Sequence, residues 1–422
     1  MSPKLEAAFR QTFVSLRSSR NFRLYLSGQL VSAVGTWMNF TTMSWLVWKL
    51  TGSGTALGVN SALAFGPVLV LGAWGGVLAD RFDKRRILVA TQSAFAVVSL
   101  TLAALVFTHA IALWMIYSLS VVSGIINAID NPARQSFYAE MVGEEVLTNA
   151  VSLNSATFTG ARVIGPAIAG LLIWSVGMAI CFLIDGLSFF AVLAALLAMR
   201  PDQLHRQERA TREKGRLVEG LRYVWHTDEL RRPLLVMAVV FTLAFQWQVL
   251  VPMMAEQVFH ANSLGFGLMS AGAGLGSFLA AILSANRNRR PTMRLLGLFA
   301  LAVGTAMVLV ASSPGLVLAV VAMIPVGFSA MSFMITGNTM LQLTSMPQMR
   351  GRVMALYGVV FLGSTPIGAP IVGWLGERLG PRLDFMLTAA VALVMGASVL
   401  WARQRRIAAE TPEPIGEPVG AR

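Results

Sequence analysis

Residues 56–108 read ALGVNSALAFGPVLVLGAWGGVLADRFDKRRILVATQSAFAVVSLTLAALVFT, two apolar runs around a short charged segment. The runs 56–79 and 87–108 are each about 20 residues long. A helix rises about 1.5 Å per residue, so each run is long enough to cross a hydrocarbon core of about 30 Å. The pattern predicts two membrane-spanning helices joined by a tight basic turn.

The same pattern continues along the whole chain. Of its 422 residues 55% are hydrophobic and only 13% are charged, and the mean hydropathy is +0.66, which excludes an ordinary water-soluble fold. Apolar runs occur at 22–48, 56–79, 87–108, 112–133, 148–175, 178–199, 233–256, 264–286, 293–312, 315–338, 352–376 and 383–402. We therefore predict an all-α integral membrane protein of about 12 transmembrane helices in two six-helix halves.

The polar segments divide the chain into five parts. We predict a cytoplasmic N-terminal arm at 1–21, an N-terminal half at 22–199, a linker at 200–232, a C-terminal half at 233–403 and a disordered tail at 404–422. The linker is the longest polar segment between apolar runs and carries nine Lys and Arg residues.

The distribution of basic residues predicts the orientation. If the N-terminus is cytoplasmic, 29 of the 33 Lys and Arg residues fall on the cytoplasmic side, and membrane proteins concentrate these residues there. We expect both termini in the cytoplasm of a bacterial cell, with the chain in the inner membrane. The basic residues lie between apolar runs and form no patch on a soluble domain, so nucleic acid is not an expected partner.

The two halves resemble each other in sequence. VIGPAIAGLL at 163–172 and PIGAPIVGWL at 366–375 match at five of ten positions. The loop ADRFDKRR at 79–86 is echoed by ANRNRR at 285–290, and Asn131 and Gln135 are echoed by Asn338 and Gln342. Parallel repeats of this kind place a binding site at their interface, near the middle of the membrane.

Several motifs resemble those of the major facilitator superfamily. The segment Gly76-Val-Leu-Ala-Asp80-Arg81-Phe-Asp-Lys84-Arg85-Arg86 is similar to its cytoplasmic loop motif, with Asp83 where glycine is common and Lys84 where arginine is common. The segments DNPARQ at 130–135, NAVSLN at 149–154 and RVIGP at 162–166 resemble the branch that includes the enterobactin exporter and related drug-efflux proteins.

The resemblance implies a conformational latch in the loop motif. Asp80 would bind the N-terminus of a neighbouring helix, near 351–353, and stabilise one of two access states. The residues assigned to this latch are Gly76, Asp80, Arg81, Lys84, Arg85, Arg86, Asp130 and Arg134. The alternative is a basic loop that only fixes topology and contacts anionic lipid. Asp130 and Glu256 lie near span ends, where we expect either a solvated position or a latch role.

The fifth span carries a glycine pattern that partly matches a motif of proton-coupled export in the same superfamily. Its members are Gly160, Gly165, Pro166 and Gly170, with Ala161 where a glycine is expected. The alternative is that these small residues serve close helix packing and that the proline kinks the helix.

Two ionisable residues fall well inside the apolar runs. Arg162 lies roughly 16 Å, and Asp185 roughly 10 Å, from the outer ends of their spans at 1.5 Å per residue. Charges at such depth are costly unless they are paired or face water, so they mark functional sites. One hypothesis is a structural ion pair between them. The other is that Arg162 binds an anionic substrate while Asp185 takes up a proton.

The resemblance implies that spans one, four, seven and ten line a central cavity. Polar and aromatic residues near the middle of these spans are therefore binding candidates: Asn39, Gln246, Trp247 and Gln248. Gln246 and Gln248 lie about 200° apart on a helix, so both cannot face the cavity squarely.

Missing motifs exclude other classes. None of the four lysines follows a glycine, so the chain has no P-loop for ATP. The single Cys181 permits no internal disulfide or Cys-based metal site, and the four histidines fall in loops or the linker without a His-Glu-x-x-His motif. We expect neither an enzyme nor a cofactor.

The sequence therefore predicts a monomeric secondary transporter that works by alternating access. Its partners would be a small-molecule substrate, protons and membrane lipid, and it would export an amphiphile such as a siderophore or drug by proton antiport. A lipid or metabolite permease is the alternative, followed by a receptor or scaffold without transport activity.

Overall fold

The computed structural model describes residues 14–205, 216–285 and 290–410. Parts of the predicted arm, the linker, the 285–290 loop and the tail therefore lie outside the described residues. No strand occurs in the described ranges, which are almost entirely helical.

The N-terminal half consists of a short helix followed by six long ones. They are α1 (Val14–Ser18), α2 (Arg20–Thr51), α3 (Gly54–Arg81), α4 (Lys84–Phe107), α5 (Leu113–Val142), α6 (Leu147–Ser175) and α7 (Met178–Leu197). Local side chains set the turns. Ser53 accepts a hydrogen bond from the amide of Ala56 to begin α3, and Asp83 accepts one from the amide of Arg86 to begin α4.

The C-terminal half follows the linker, and its first spanning helix is interrupted. The helices are α8 (Arg216–His226), α9 (Asp228–Val239), α10 (Trp247–Met253), α11 (Ser263–Ala285), α12 (Met293–Ser312), α13 (Leu316–Thr344), α14 (Arg350–Leu379) and α15 (Pro381–Glu410). Two π-helical segments, Val240–Ala244 and Met254–Val258, flank α10. Together with α9 they form one span, Asp228–Val258.

Eleven helices in the described ranges are long and apolar enough to cross a membrane, and α2 is not among them. It has 32 residues and packs against α6 and α7 inside the N-terminal half. Its polar residues are buried in the protein: Asn21, Gln29, Ser32, Thr41 and Thr42. We therefore count α2 as the remaining span, since its polar side chains contact other helices.

The internal repeat is visible in how the helices pack. In the N-terminal half α3 packs against α5 and α4 against α7, and in the C-terminal half α11 packs against α13 and α12 against α15 in the same way. The polar echo also has a common geometry. Gln135 donates to Asn131 over 3.0 Å in α5, and Gln342 donates to Asn338 over 2.6 Å in α13.

Several helices extend beyond the predicted apolar runs. Helix α5 continues to Val142, nine residues past the predicted end of its span, and in this extension Glu140 forms an ion pair with Lys84 (2.5 Å). Helix α15 continues to Glu410, so residues 404–410, predicted to be disordered, are helical. Alanine, arginine and glutamate favour helix where hydropathy gives no signal.

The bundle has two ends, which we name by their loops. The linker face carries the α3–α4 turn and the linker, and the opposite face carries the α2–α3, α10–α11 and α14–α15 turns. At the linker face α8 packs on α14, where Glu219 forms an ion pair with Arg352 at 2.5 Å and the Tyr223 hydroxyl accepts from the Met346 amide.

Glycines let α11 approach two neighbours at once. A Cβ at Gly267 or Gly274 would collide with the backbone of α6, and one at Gly272 or Gly276 with the backbone of α13. These glycines, which could be mistaken for a nucleotide loop, are packing residues. Helix association inside a membrane depends on such small residues.

We predict that Gly276→Ala destabilises the protein, because the new methyl would clash with Ile324 and Phe328 backbone atoms. Overpacking of this kind costs about 1–3 kcal/mol. Thermal unfolding in detergent should show a lower midpoint for this variant. The control is Gly358→Ala, where a Cβ meets nothing within 4 Å; an equal loss in both variants would contradict the packing argument.

Candidate functional site

The two halves are fastened together at the opposite face. Glu256, on the π-helical segment after α10, accepts a hydrogen bond from the Trp48 indole (2.5 Å) and forms an ion pair with Lys49 (2.6 Å). Glu377, near the end of α14, accepts from the Ser53 hydroxyl (2.7 Å) and from the hydroxyl (2.7 Å) and amide (3.0 Å) of Thr55. We call these contacts the clasp. In it, two carboxylates of the C-terminal half bind donors of the N-terminal half.

Backbone contact between the halves extends from the clasp to the middle of the membrane, where a Cβ at Gly274 of α11 would lie 2.3 Å from the Arg162 carbonyl oxygen. A Cβ at Gly54 or Gly58 of α3 would collide with the backbone of α14, and one at Gly170 of α6 with the backbone of α11. Nearer the linker face, added Cβ atoms at Gly66 of α3 and Gly160 of α6 would meet nothing within 4 Å.

Along α14, too, a glycine near the opposite face contacts the other half and two near the linker face do not. A Cβ at Gly373 would collide with α3, whereas one at Gly358 or Gly351 would meet nothing within 4 Å. The close backbone contacts between the halves thus lie at the opposite face and in the middle of the membrane, and the glycines nearer the linker face make none.

Arg162 lies in the middle of α6 with its guanidinium over the Trp37 ring of α2, 5.1 Å from the ring centroid. In the part of the chain that the structure describes, it makes no hydrogen bond or ion pair. Trp37 contacts Phe40 at 5.8 Å between ring centroids, and Phe40 stacks on Phe65 of α3 at 6.3 Å. The result is a cation beside an aromatic surface, and the ring of Phe40 is 44% exposed.

Asp185 of α7 is 1% exposed and lies on the other side of α2. Its Oδ2 accepts from the Asn39 amide (2.6 Å) and the Ser99 hydroxyl (2.6 Å). Its Oδ1 is buried without a hydrogen-bond partner among the described residues. Asn39, a predicted cavity residue, is thus a neighbour of Asp185.

The possible ion pair between Arg162 and Asp185 is not formed in the described structure, where Asp185 bonds to Asn39 and Ser99 instead. Trp37 and Asn39 are two positions apart on α2, so their side chains diverge by about 200°. Arg162 contacts one side of α2 and Asp185 the other. The sequence allows the depth of Arg162 and Asp185 in the membrane to be estimated. It does not give the rotation of each helix about its axis, which decides the side chains that meet.

The candidates on the seventh span have different surroundings. Gln246 is buried and donates to the Phe241 carbonyl (2.8 Å) at the helix interruption, and Trp247 is buried in the core, while Gln248 is exposed. Gln246 satisfies a carbonyl that the interruption leaves free, which is a structural role.

An aromatic cluster in the C-terminal half was not anticipated. Ring-to-ring contacts of 5.1–6.3 Å join Phe241, Phe245, Phe333, Tyr357 and Phe361 from the seventh, tenth and eleventh spans. Aromatic residues near the middle of these spans were the available signal. Phe241 and Phe333 are buried in the core of this half, whereas Phe361 is exposed.

Asp130 and Arg134 form a buried ion pair one helical turn apart on α5. Asp130 is 1% exposed and also accepts from the Thr91 hydroxyl (2.6 Å) and the Gln92 amide (2.8 Å) of α4. The expectation of a solvated position at a span end is therefore wrong for Asp130, since α5 extends well beyond it. Glu256, in contrast, does lie near a span end, in the clasp.

The basic loop at the linker face is tied to its own half. Besides the Lys84–Glu140 pair, Arg85 donates to the carbonyls of Leu196 (2.7 Å) and Leu197 (3.1 Å), which satisfies the end of α7. Arg81 and Arg86 are exposed, whereas Gly76 is buried. Binding of Asp80 to the start of α14 stays a prediction.

Two glycines of the α6 pattern, Gly165 and Gly170, lie at close helix contacts, whereas Gly160 does not. A Cβ at Gly165 would collide with Trp37 and Met38 of α2, and Gly170 contacts Gly267 of α11. Pro166 is buried within the helix. Across the described ranges no group of three His, Cys, Asp or Glu side chains is placed to hold a metal ion.

We predict that Glu377→Ala loosens the opposite face, because three hydrogen bonds to Ser53 and Thr55 are lost. The loss should lower the free energy of local opening by about 1 kcal/mol. Amide hydrogen exchange at residues 52–56 should therefore become roughly fivefold faster. Glu377→Gln, which keeps an acceptor, should fall between this variant and the wild type. Glu229→Gln, at an exposed residue at the start of α9, is the control. Unchanged exchange in Glu377→Ala would contradict the clasp.

Comparison with known proteins gives a consistent result. The family described as transmembrane secretion effector matches residues 11–415. The chain is 26% identical over 384 residues to the multidrug efflux pump Tap of Mycolicibacterium fortuitum, covering 88% of this chain and 93% of that protein. It is 25% identical over 261 residues to the staphyloferrin A transporter of Staphylococcus aureus, covering 62% and 66%.

Solved structures share the fold. A bacterial homologue of the human lysosomal transporter Spinster, in an inward-facing and occupied conformation, matches with a TM-score of 0.72 at 15% identity, covering 94% of this chain and 100% of that one. The resemblance to major facilitator transporters and the predicted all-α membrane fold are confirmed. The chain belongs to the transmembrane secretion effector family of the major facilitator superfamily, whose members are membrane transporters and not enzymes.

Proposed function

We propose that this protein exports an amphiphilic, aromatic or anionic small molecule in exchange for protons, by alternating access. The guanidinium of Arg162, which has no ion pair among the described residues and lies over the Trp37 ring beside the exposed Phe40, is the observation that carries the proposal. The linker face would be cytoplasmic, as the distribution of basic residues predicts. Substrate would then enter the cavity from the cytoplasm of a bacterial cell.

The chemistry around Arg162 favours a particular class of substrate. An unpaired cation at mid-membrane depth is costly, and a carboxylate or catecholate oxygen would relieve that cost. Trp37, Phe40 and Phe65 on one side and Phe361, the exposed member of the C-terminal aromatic cluster, on the other would stack against flat apolar parts. This combination suits siderophore-like anions, or drugs with an acidic or hydrogen-bond-accepting group.

Asp185 is the proposed proton carrier. It is buried, its hydrogen bonds come from the neutral donors Asn39 and Ser99, and one of its oxygens has no partner in the described chain. A carboxyl group in such surroundings can gain or lose a proton as water reaches it. Because α2 lies between Asp185 and Arg162, movement of α2 on substrate binding would change the surroundings of both.

The exchange of conformations would use the contacts at both faces. When the clasp opens, the linker face would close, and Asp80 with the loop motif would then bind the first turn of α14. That turn now contacts α8 through Arg352 and Glu219.

The relatives support export as the direction. Two of them are named as a multidrug efflux pump and a macrolide efflux protein, and a third as a staphyloferrin A transporter. These names fit an amphiphilic substrate better than a nutrient taken up from outside, and they favour export over the lipid or metabolite permease.

Substrate-triggered proton release can be measured by pH-sensitive fluorescence in everted vesicles, with siderophores, macrolides and dyes added one at a time. Arg162→Ala should raise the half-saturating concentration of an anionic substrate about 10- to 100-fold, the value of a lost charge-assisted hydrogen bond. Asp185→Asn should abolish proton release.

The controls are Arg222→Ala and Glu229→Gln, two exposed residues at the linker face, which should behave as the wild type does. Substrate movement without any pH change in the wild type would refute antiport. Normal coupling in both Arg162→Ala and Asp185→Asn would show that neither charge belongs to the transport site.

A further inference from the structure

A second buried carboxyl group lies in the C-terminal half, at the fourth residue of α15. Asp384 is 0% exposed, and neither of its oxygens has a hydrogen-bond partner among the described residues. It lies at the opposite face, where α15 packs against α14, α10 and α12. A Cβ added at Gly376 of α14 would come within 3.2 Å of Asp384 Oδ2 and 2.7 Å of Leu250 of α10. The carboxyl group therefore fills a small space between α14 and α10.

The charged residues at this end are all engaged elsewhere. Glu256, after α10, bonds to Trp48 and Lys49, and Glu377 of α14 bonds to Ser53 and Thr55. Arg378 of α14 lies over Trp374, and Arg382 of α15 donates to the Ser313 carbonyl (3.0 Å). At this end α10 and α12 carry no charged residue. No cation of the described chain thus pairs with Asp384.

The internal repeat pairs Asp384 with a residue of the N-terminal half. Helix α7 begins at Met178 and α15 at Pro381, an offset of 203 that is also the offset of the matched segments, so Asp384 corresponds to Cys181. Cys181 is likewise fully buried, beside Ala169 and Met38 of the neighbouring helices. The equivalent position of the N-terminal half therefore holds a small, uncharged side chain.

We propose that Asp384 is a proton-binding site and that a proton must occupy it for the opposite face to close. An ionised carboxylate without a donor or counter-ion is too costly in a dry, apolar space, whereas the neutral acid fits there. Glu377 lies on α14 and Glu256 on the π-helical segment that follows α10. Gly54 of α3 packs against Gly373 of α14 and Met253 of α10. Opening the clasp would remove α3 from this surface and let water reach the carboxyl group, which could then release its proton to the outside.

This inference rests on the proposed alternation of access, since it needs an open form of the opposite face. It assigns to Asp384 a role distinct from that of Asp185. Asp185 would carry the proton that is exchanged for substrate, and Asp384 would set the balance between the closed and open forms according to external pH.

The test measures the width of the opposite face against pH. The full-length protein, with Cys181→Ala, carries spin labels at Thr108→Cys and Ser312→Cys, and electron–electron distances are recorded in lipid nanodiscs. When Asp384 is present, we expect the ratio of the closed to the open form of the opposite face to fall as the pH rises. The fall should reach up to about tenfold per pH unit while Asp384 loses its proton. Asp384→Asn should stay closed at every pH.

Two further variants keep the test decisive. Asp384→Ala serves if the asparagine variant does not fold and should also stay closed, while Asp384→Glu should keep the pH dependence. Asp228→Asn, at an exposed residue paired with Arg231 at the linker face, is the matched control. The proposal is overturned if the wild type shows no pH dependence, or if the neutral variants follow the wild-type curve.

Parallel transport measurements separate the two proposals. Closure that depends on pH through Asp384, in a protein that moves no substrate, would refute export alone. If substrate-coupled proton release is normal but the closure of the opposite face does not depend on Asp384, only this inference is refuted.

Discussion

Close contact between the two halves at one face is the constraint on which the rest of this structure depends. Inside a membrane there is little hydrophobic force between helices, so association relies on backbone approach and a few polar contacts. Gly54, Gly58 and Gly373 permit that approach between α3 and α14, and Gly170 and Gly267 permit it between α6 and α11. The clasp carboxylates lie at the end of these contacts. The proposed substrate cavity would lie toward the linker face, where Gly66, Gly160 and Gly358 make no such contact.

The buried charges of the N-terminal half are arranged around α2. Its Trp37 side contacts Arg162, and its Asn39 side contacts Asp185. One rigid helix thus touches both the proposed substrate cation and the proposed proton carrier. Small rotation of α2 would change both environments together, which gives the coupling a physical basis without an ion pair between the two charges.

Much of the fold could be predicted from the sequence, because hydropathy and basic loops report directly on the membrane. The spans and the internal repeat were readable, and Asn131–Gln135 and Asn338–Gln342 even share one hydrogen-bond geometry. Helix rotation was not readable, so Arg162 and Asp185 were considered as partners although α2 separates them. Gln246 was predicted to be a binding residue, but at the π-helical interruption its side chain donates to the Phe241 carbonyl. Asp384 lies at the edge of an apolar run, where a carboxylate ordinarily reads as solvated, and only the packing of α14 and α10 shows that it is buried.

In the proposed transport cycle the two faces open alternately around the site between the halves. Distances across both faces of one reconstituted protein, with and without a transported substrate, test it most directly. Label pairs at Phe82 and Met346 on the linker face and at Thr108 and Ser312 on the opposite face suit this purpose, since all four are exposed. The account predicts that substrate and a proton gradient lengthen the distance at the opposite face while shortening the one at the linker face. Distances that stay fixed, or that lengthen together at both faces, would contradict it.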